Sequence, residues 1–155
     1  YQALAKVDEN KQEFTVGGRI LHSPEFATAS GKAQFKFSPL PMYEAGYRLT
    51  SVRSEGQFNS IIYHEQDAYR EQTERWVVMM HPEDMAKEGL KENQTINLTT
   101  ATGSMQALKV KPYNIRPGNL MVYYPEANQL IPRAVDTRSK TPGFKSVVVQ
   151  LQPSS

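Results

Sequence analysis

Cysteine is absent from the 155 residues. The chain therefore carries no disulfide, no thiolate nucleophile, and no zinc–thiolate or iron–sulfur ligand of its own. Long apolar runs are missing as well: no stretch approaches the roughly 18 residues that a membrane-spanning helix needs. Charge of one sign is scarce. With 18 basic and 16 acidic residues the net charge is +2, too balanced to argue for nucleic acid as a partner. The phosphate-cradling patterns G-x-G-x-x-G and G-x-x-x-x-G-K-[ST] do not occur. Nor does the nucleophile elbow G-x-S-x-G, and Gly103-Ser104 sits in turn-like surroundings unsuited to a hydrolase serine. His22, His64 and His81 lie far apart, none at i, i+4 with another ligand, so no metal site is expected. The chain opens on Tyr1 without a basic, apolar, small-residue signal pattern, and it reads as a piece of a longer protein, expected in the cytoplasm.

What is present suits a single folded domain. The apolar share is 39% and the charged share 22%, a balance that supports a buried core and argues against disorder. Weak strand character at 13–16 ends at Gly17-Gly18, and Arg19–His22 is a short apolar patch. Ser23-Pro24 and the small residues 27–31 read as loop. Lys32–Phe37 alternates polar and apolar, which predicts a strand with Ala33, Phe35 and Phe37 on one face. Pro39 and Pro41 stop it. Tyr47–Arg53 alternates again, with Tyr47, Leu49, Ser51 and Arg53 on one face.

The segment 61–69 allows a short helical turn, and Arg75–Met80 is nearly all apolar, as in a strand buried on both faces. Pro82–Glu88 has proline at a first helical position, acids in the first turn and Gly89 at its end, so it predicts a short helix whose start His81 supports. Gln94–Thr100 and Ser104–Lys111 flank Ala101-Thr102-Gly103 and predict a hairpin. Asn97 begins an N-x-[ST] triplet, as does Asn93, but its place in a strand argues against glycosylation. After the turn Arg116-Pro117-Gly118, Asn119–Tyr124 and Lys145–Leu151 are two further strands. About seven short strands with one or two short helices favour a mainly β barrel or sandwich.

Two loop clusters concentrate recognition chemistry. Arg53, Ser54, Glu55, Gly56, Gln57 and Asn59 set a guanidinium and amides around a glycine at a strand end, with Tyr63, Tyr69 and Arg70 close behind. Arginine grips phosphate bidentately, and amides read the donor and acceptor edge of a heterocycle. Asn128, Phe144 and Lys145 form the second cluster, supplying an amide, an aromatic face and a cation.

These segments resemble the C-terminal cofactor-binding domain of the molybdopterin oxidoreductases, in particular the alpha subunit of formate dehydrogenases. The likeness is carried by Gly18-Arg19-Ile20 with Ser30-Gly31-Lys32-Ala33-Gln34-Phe35, by Leu49–Asn59, by His81-Pro82-Glu83-Asp84 with Gly89-Leu90, by Tyr124–Leu130, and by Thr141-Pro142-Gly143-Phe144-Lys145, in that order. It implies a double-psi β-barrel, similar to the aspartate-decarboxylase barrel, with residues 1–45 as a lead-in and 46–152 as the barrel of one domain, 1–155. It implies binding of molybdopterin guanine dinucleotide, two copies of which hold one molybdenum or tungsten. Contacts are implied for Arg53, Ser54, Glu55, Gly56, Gln57 and Asn59 in the first loop, for Asn128, Phe144 and Lys145 in the late loops, and for Tyr63 and Arg70.

The metal's protein ligand and any iron–sulfur cluster belong, in this family, to other domains. The partners implied are those domains and electron-transfer subunits, with no nucleic acid, no membrane segment and no redox step by this domain alone. A stand-alone β-barrel that binds another protein is the alternative. A small hydrolase or decarboxylase barrel lacks a visible nucleophile or self-cleaving site.

Overall fold

The computed structural model describes residues 6, 7, 9, 11, 25–37, 39 and 44–154. The expected strand at 13–16, the patch at 19–22 and the Gly18-Arg19-Ile20 motif lie outside them. The chain divides into two units, Tyr1–Met42 and Tyr43–Ser155. In the first, the Gly31 amide donates to the Thr28 carbonyl at 3.0 Å and the Thr28 hydroxyl donates to the Lys32 carbonyl at 2.8 Å, closing a local turn. Lys32–Phe37 is not a strand. Its alternation offers an apolar face, but no strand among the described residues accepts it, and Phe35 and Phe37 stand fully in solvent.

The second unit is mainly β. Its strands are β1 (Tyr47–Val52), β2 (Val77–Met80), β3 (Thr95–Thr99), β4 (Ser104–Pro112), β5 (Asn119–Tyr123) and β6 (Val147–Pro153). One short helix, α1 (Pro82–Lys87), and two 3-10 turns, Ala68–Arg70 and Glu126–Leu130, complete the regular structure. The strands close a barrel in the order β1-β5-β2-β4-β3-β6, which decides between the barrel and the sandwich. Two pairings are parallel, β1 with β5 and β2 with β4, and the others are antiparallel. This is the double-psi barrel.

β2 shows why the apolar run at its position has no alternation. Val78 and Met80 point into the main barrel core, while Val77 and Met79 pack with Tyr123 in a second cluster outside it. All four are fully buried, and Met80→Ala should cost about 2–5 kcal/mol. The strand starts two residues later than the sequence suggests, because Arg75 and Trp76 turn to other partners. α1 is capped as expected: His81 Nδ1 accepts from the Glu83 amide at 3.1 Å. Gly89, at φ 65°, lets the Leu90 amide reach back to the Met85 carbonyl at 2.8 Å.

The β3–β4 hairpin contains a bulge. Register shifts between Ile96 and Leu98, so Met105 and Leu108 both face inward. Ala107 adopts φ 52°, and its amide donates to Asn97 Oδ1 at 2.8 Å. The Asn97 side chain is thus engaged in the sheet.

Candidate functional site

Parallel pairing of β1 and β5 puts Val52 opposite Tyr123, so both strands leave the barrel at one end. There the Tyr124 amide donates to the Val52 carbonyl at 2.8 Å, and Arg53 lies with its guanidinium carbon 5.8 Å from the centre of the Tyr124 ring. β6 runs antiparallel to β1, which brings the segment before it to the same end. The Phe144 carbonyl accepts from the Ser51 amide at 3.3 Å and from its hydroxyl at 3.2 Å, and the Lys145 ammonium donates to the Ser51 carbonyl. Three segments far apart in sequence, 53–60, 124–130 and 144–146, therefore meet at one barrel end. β1 stops at Val52, so Arg53 does not continue the inward face of Leu49 and Ser51 and is exposed.

The residues gathered there divide into two groups. Ser54 and Gln57 are buried and spend their side chains inside. Gln57 Oε1 accepts from the Ser54 amide and hydroxyl at 3.2 and 3.3 Å, and its Nε2 donates to the Ser60 and Tyr124 carbonyls at 3.1 and 3.0 Å. Tyr63 lies against Arg75, 3.7 Å from guanidinium carbon to ring centre. Glu55, Gly56, Asn59 and Asn128 face solvent, as does Lys145 except where its ammonium reaches Ser51, and Phe144 exposes two-fifths of its surface. Gly56 sits at φ 73° with no atom within 4 Å of where a Cβ would be, so a ligand can approach its backbone. The helical turn expected within 61–69 forms only at Ala68–Arg70.

Asp67 orders the rim. It is 1% exposed and pairs its backbone with Gln72 in both directions, at 2.9 and 3.0 Å. Its Oδ2 accepts from Arg70 and from the Tyr123 hydroxyl, both at 2.8 Å, and its Oδ1 accepts from the Glu55 amide at 3.3 Å. Burial works against its ionisation, but these donors outweigh burial and hold the carboxyl below the usual carboxylate range. Arg70 also donates to the Arg53 carbonyl at 2.9 Å. The Lys145 ammonium is pushed below its ordinary value by burial and then by the nearby charges of Arg53 and Arg70. Arg53, Arg70 and Lys145 thus share one barrel end; Asp67 already pairs with Arg70, which leaves Arg53 and Lys145 as the cations open to an anion.

A cleft of about 600 Å³ beside this rim is lined by Glu55, Gly56, His64, Glu65, Gln66 and Ala68. Its carboxylates make it unsuited to phosphate, and the cationic corner lies outside it. A second cleft of about 560 Å³ includes Tyr69, Arg70, Glu92 and Lys111. Among the described residues no group of His, Cys, Asp or Glu could hold a metal ion, and no helix is long and apolar enough to cross a membrane.

Reading the sequence did not anticipate Arg75, Asp67, Tyr123 or Glu126. Arg75 is 3% exposed; it donates from Nε to Glu126 at 2.6 Å and from NH1 to the Ser54 hydroxyl at 2.9 Å. One signal for it existed: a lone charge heading a strand buried on both faces needs a buried partner. Asp67 offered no such signal.

Residues 47–148 match the family model of the molydopterin dinucleotide binding domain. A protein of Mycobacterium tuberculosis named as an uncharacterized oxidoreductase is 33% identical over 157 aligned residues, covering 90% of this chain and 20% of its own. The protein YdeP of Escherichia coli is 32% identical over 143 aligned residues, covering 83% of this chain and 19% of its own. The chain thus spans about a fifth of the length of these relatives. Among solved structures, acetylene hydratase from Pelobacter acetylenicus superposes with a TM-score of 0.51 at 17% identity, over 85% of this chain and 25% of that one, a likeness of fold. With the family's model matched across the whole barrel up to β6, this chain belongs to the molydopterin dinucleotide-binding domain family.

Proposed function

We propose that this chain binds molybdopterin guanine dinucleotide as one domain of a molybdenum or tungsten oxidoreductase, formate dehydrogenase-like in type. The observation that carries this reading is the meeting of the loops 53–60, 124–130 and 144–146 at one barrel end, which places Arg53 and Lys145 beside exposed amides and a partly exposed ring. A diphosphate between Arg53 and Lys145 would meet two cations and gain charge-assisted hydrogen bonds. Arg53 and Lys145 are the phosphate contacts in this reading, and the open backbone at Gly56 allows close approach. Asn59 and Asn128 carry exposed amides, and Glu55 an exposed carboxylate, suited to the donor and acceptor edges of pterin and guanine. Phe144 offers a partly exposed ring for stacking. Ser54, Gln57, Tyr63 and Arg70 shape the loops from within.

When bound, the cofactor supplies the redox-active metal centre, and this chain's residues bind and orient it. With no cysteine here, thiolate ligands for the metal and for any iron–sulfur cluster come from other parts of the enzyme. The formate dehydrogenase-like assignment rests on the five motif segments of the sequence. The mycobacterial relative's description as an oxidoreductase supports the general class. Phe58, Ile61 and Ile62 each expose more than two-thirds of their surface beside this site, which suits contact with the remaining domains of the same enzyme.

Titration of the protein with guanosine diphosphate, a fragment of the cofactor, tests the reading through amide chemical shifts. Shifts concentrated at 53–59 and around Asn128 and Lys145 are expected. Absence of shifts at millimolar ligand would contradict the site.

A further inference from the structure

We propose that Arg75 is a positioning residue of the dinucleotide site: it locks the loop after β1 to the loop after β5, and ligand affinity depends on that lock although Arg75 meets no ligand. The inference rests on the reading of those two loops given under Proposed function.

Arg75 is 3% exposed, so its effect on a ligand must pass through other groups. Its donors divide between the two loops. On the first loop, NH1 donates to the Ser54 hydroxyl at 2.9 Å and NH2 to Gln57 Oε1 at 3.4 Å. On the second, NH2 donates to the Tyr124 carbonyl at 2.6 Å and to Glu126 Oε2 at 3.0 Å, while Nε donates to Glu126 Oε1 at 2.6 Å. The guanidinium carbon also lies 3.7 Å from the ring centre of Tyr63 and 4.6 Å from that of Tyr123. Only a planar fork with several fixed N–H directions serves hydroxyl, amide, carbonyl and carboxylate together, and an ammonium does not reproduce that set.

The loop from 53 to 60 has no ladder of its own and includes the left-handed Gly56. Its shape therefore depends on side-chain ties. The groups that face solvent are neighbours of the tied ones: Glu55 and Gly56 lie between Ser54 and Gln57, Asn59 follows two residues later, and Asn128 follows Glu126 by two. Fixing the tied residues fixes the exposed ones before a ligand arrives. The entropy of ordering them is then met on folding and not on binding.

Arg75→Lys is the test, because lysine keeps the charge opposite Glu126 and loses the fork. Guanosine diphosphate is the probe, with thermal unfolding measured alongside. The expected result is a lowered unfolding temperature, because buried acceptors lose their donors, together with guanosine diphosphate affinity of the folded protein lowered about tenfold and faster hydrogen exchange at the Gln57 and Asn128 amides. A purely structural role would lower the unfolding temperature and leave the affinity of the folded fraction intact, which would overturn the proposal. Arg53→Ala is the companion variant. If it leaves guanosine diphosphate binding unchanged, the site reading fails; if it weakens binding while Arg75→Lys does not, only the positioning role fails. Should Arg75→Lys not fold, hydrogen exchange in the unaltered protein decides. The lock requires that the Gln57 and Asn128 amides open together, with protection within about tenfold of each other. Independent opening of the two loops would contradict it.

Discussion

The Tyr123 hydroxyl donates to the Asp67 carboxylate at 2.8 Å across 56 residues of sequence, and both groups are buried. The bond ties the end of β5 to the rim segment that carries Arg70. Because the native carboxyl is held below its unfolded value, the unfolded chain binds the extra proton first as pH falls. The stability Asp67 contributes is complete above about pH 5 and is lost as pH drops through the native value. Asp67→Asn should cost about 1–3 kcal/mol at neutral pH and should flatten the acid limb of the stability curve. Denaturant unfolding of both proteins between pH 3 and 7 checks this.

Lys145 sets a different pH limit, on binding. Its ammonium is depressed by burial and by Arg53 and Arg70, so it loses its proton below the ordinary lysine value of 10.5. Guanosine diphosphate affinity should fall as pH rises through that lowered value. Lys145→Arg keeps its charge and should remove that limb, with the probe's own titration common to both proteins. Lys145→Met should lower affinity about tenfold at neutral pH while stability changes by less than about 1 kcal/mol, as for an exposed position. Isothermal titration across pH separates the three proteins.

Two glycines should respond to alanine by different amounts and for different reasons. A Cβ on Gly103 would lie 2.6 Å from the Gln129 carbonyl oxygen, where the hairpin turn presses on the 3-10 turn after β5. Gly103→Ala should therefore cost about 2–3 kcal/mol. Gly56 has open space but φ 73°, so Gly56→Ala should cost only about 1 kcal/mol and should weaken guanosine diphosphate binding by crowding the approach. Thermal unfolding with and without the probe distinguishes them.

The bulge in the β3–β4 hairpin supplies a further check. Asn97 accepts the Ala107 amide at 2.8 Å and donates to the Pro153 carbonyl at 3.3 Å, joining β4 to β6. Asn97→Ala should cost about 1 kcal/mol. Ala107→Gly should be neutral or better, since alanine there holds a left-handed backbone at φ 52°. Chemical denaturation of each variant measures both.

Much of the barrel was legible because its strands announce themselves locally. Ile96 and Leu98 alternate with polar neighbours, and the unbroken VVMM of β2 matches a strand covered on both sides. Local pattern misled at Lys32–Phe37, where alternation found no partner strand among the described residues and both phenylalanines remain in solvent. The candidate site was legible as segments that come together: the Arg53–Asn59 loop and the Phe144-Lys145 pair meet at one barrel end. Which side chains face outward was not legible. Ser54 and Gln57 look like ligand donors in sequence, yet distant Arg75 and Tyr124 engage them. Such pairings depend on barrel closure, which residue order alone does not express.

The most direct measurement is the pterin content of the oxidoreductase proposed above, purified as the parent and as the Arg53→Ala/Asn128→Ala variant. Both side chains are exposed at the barrel end, so the variant should fold normally. Binding through this site predicts clearly reduced pterin and metal in the folded variant. Parent-level occupancy in that variant would contradict it.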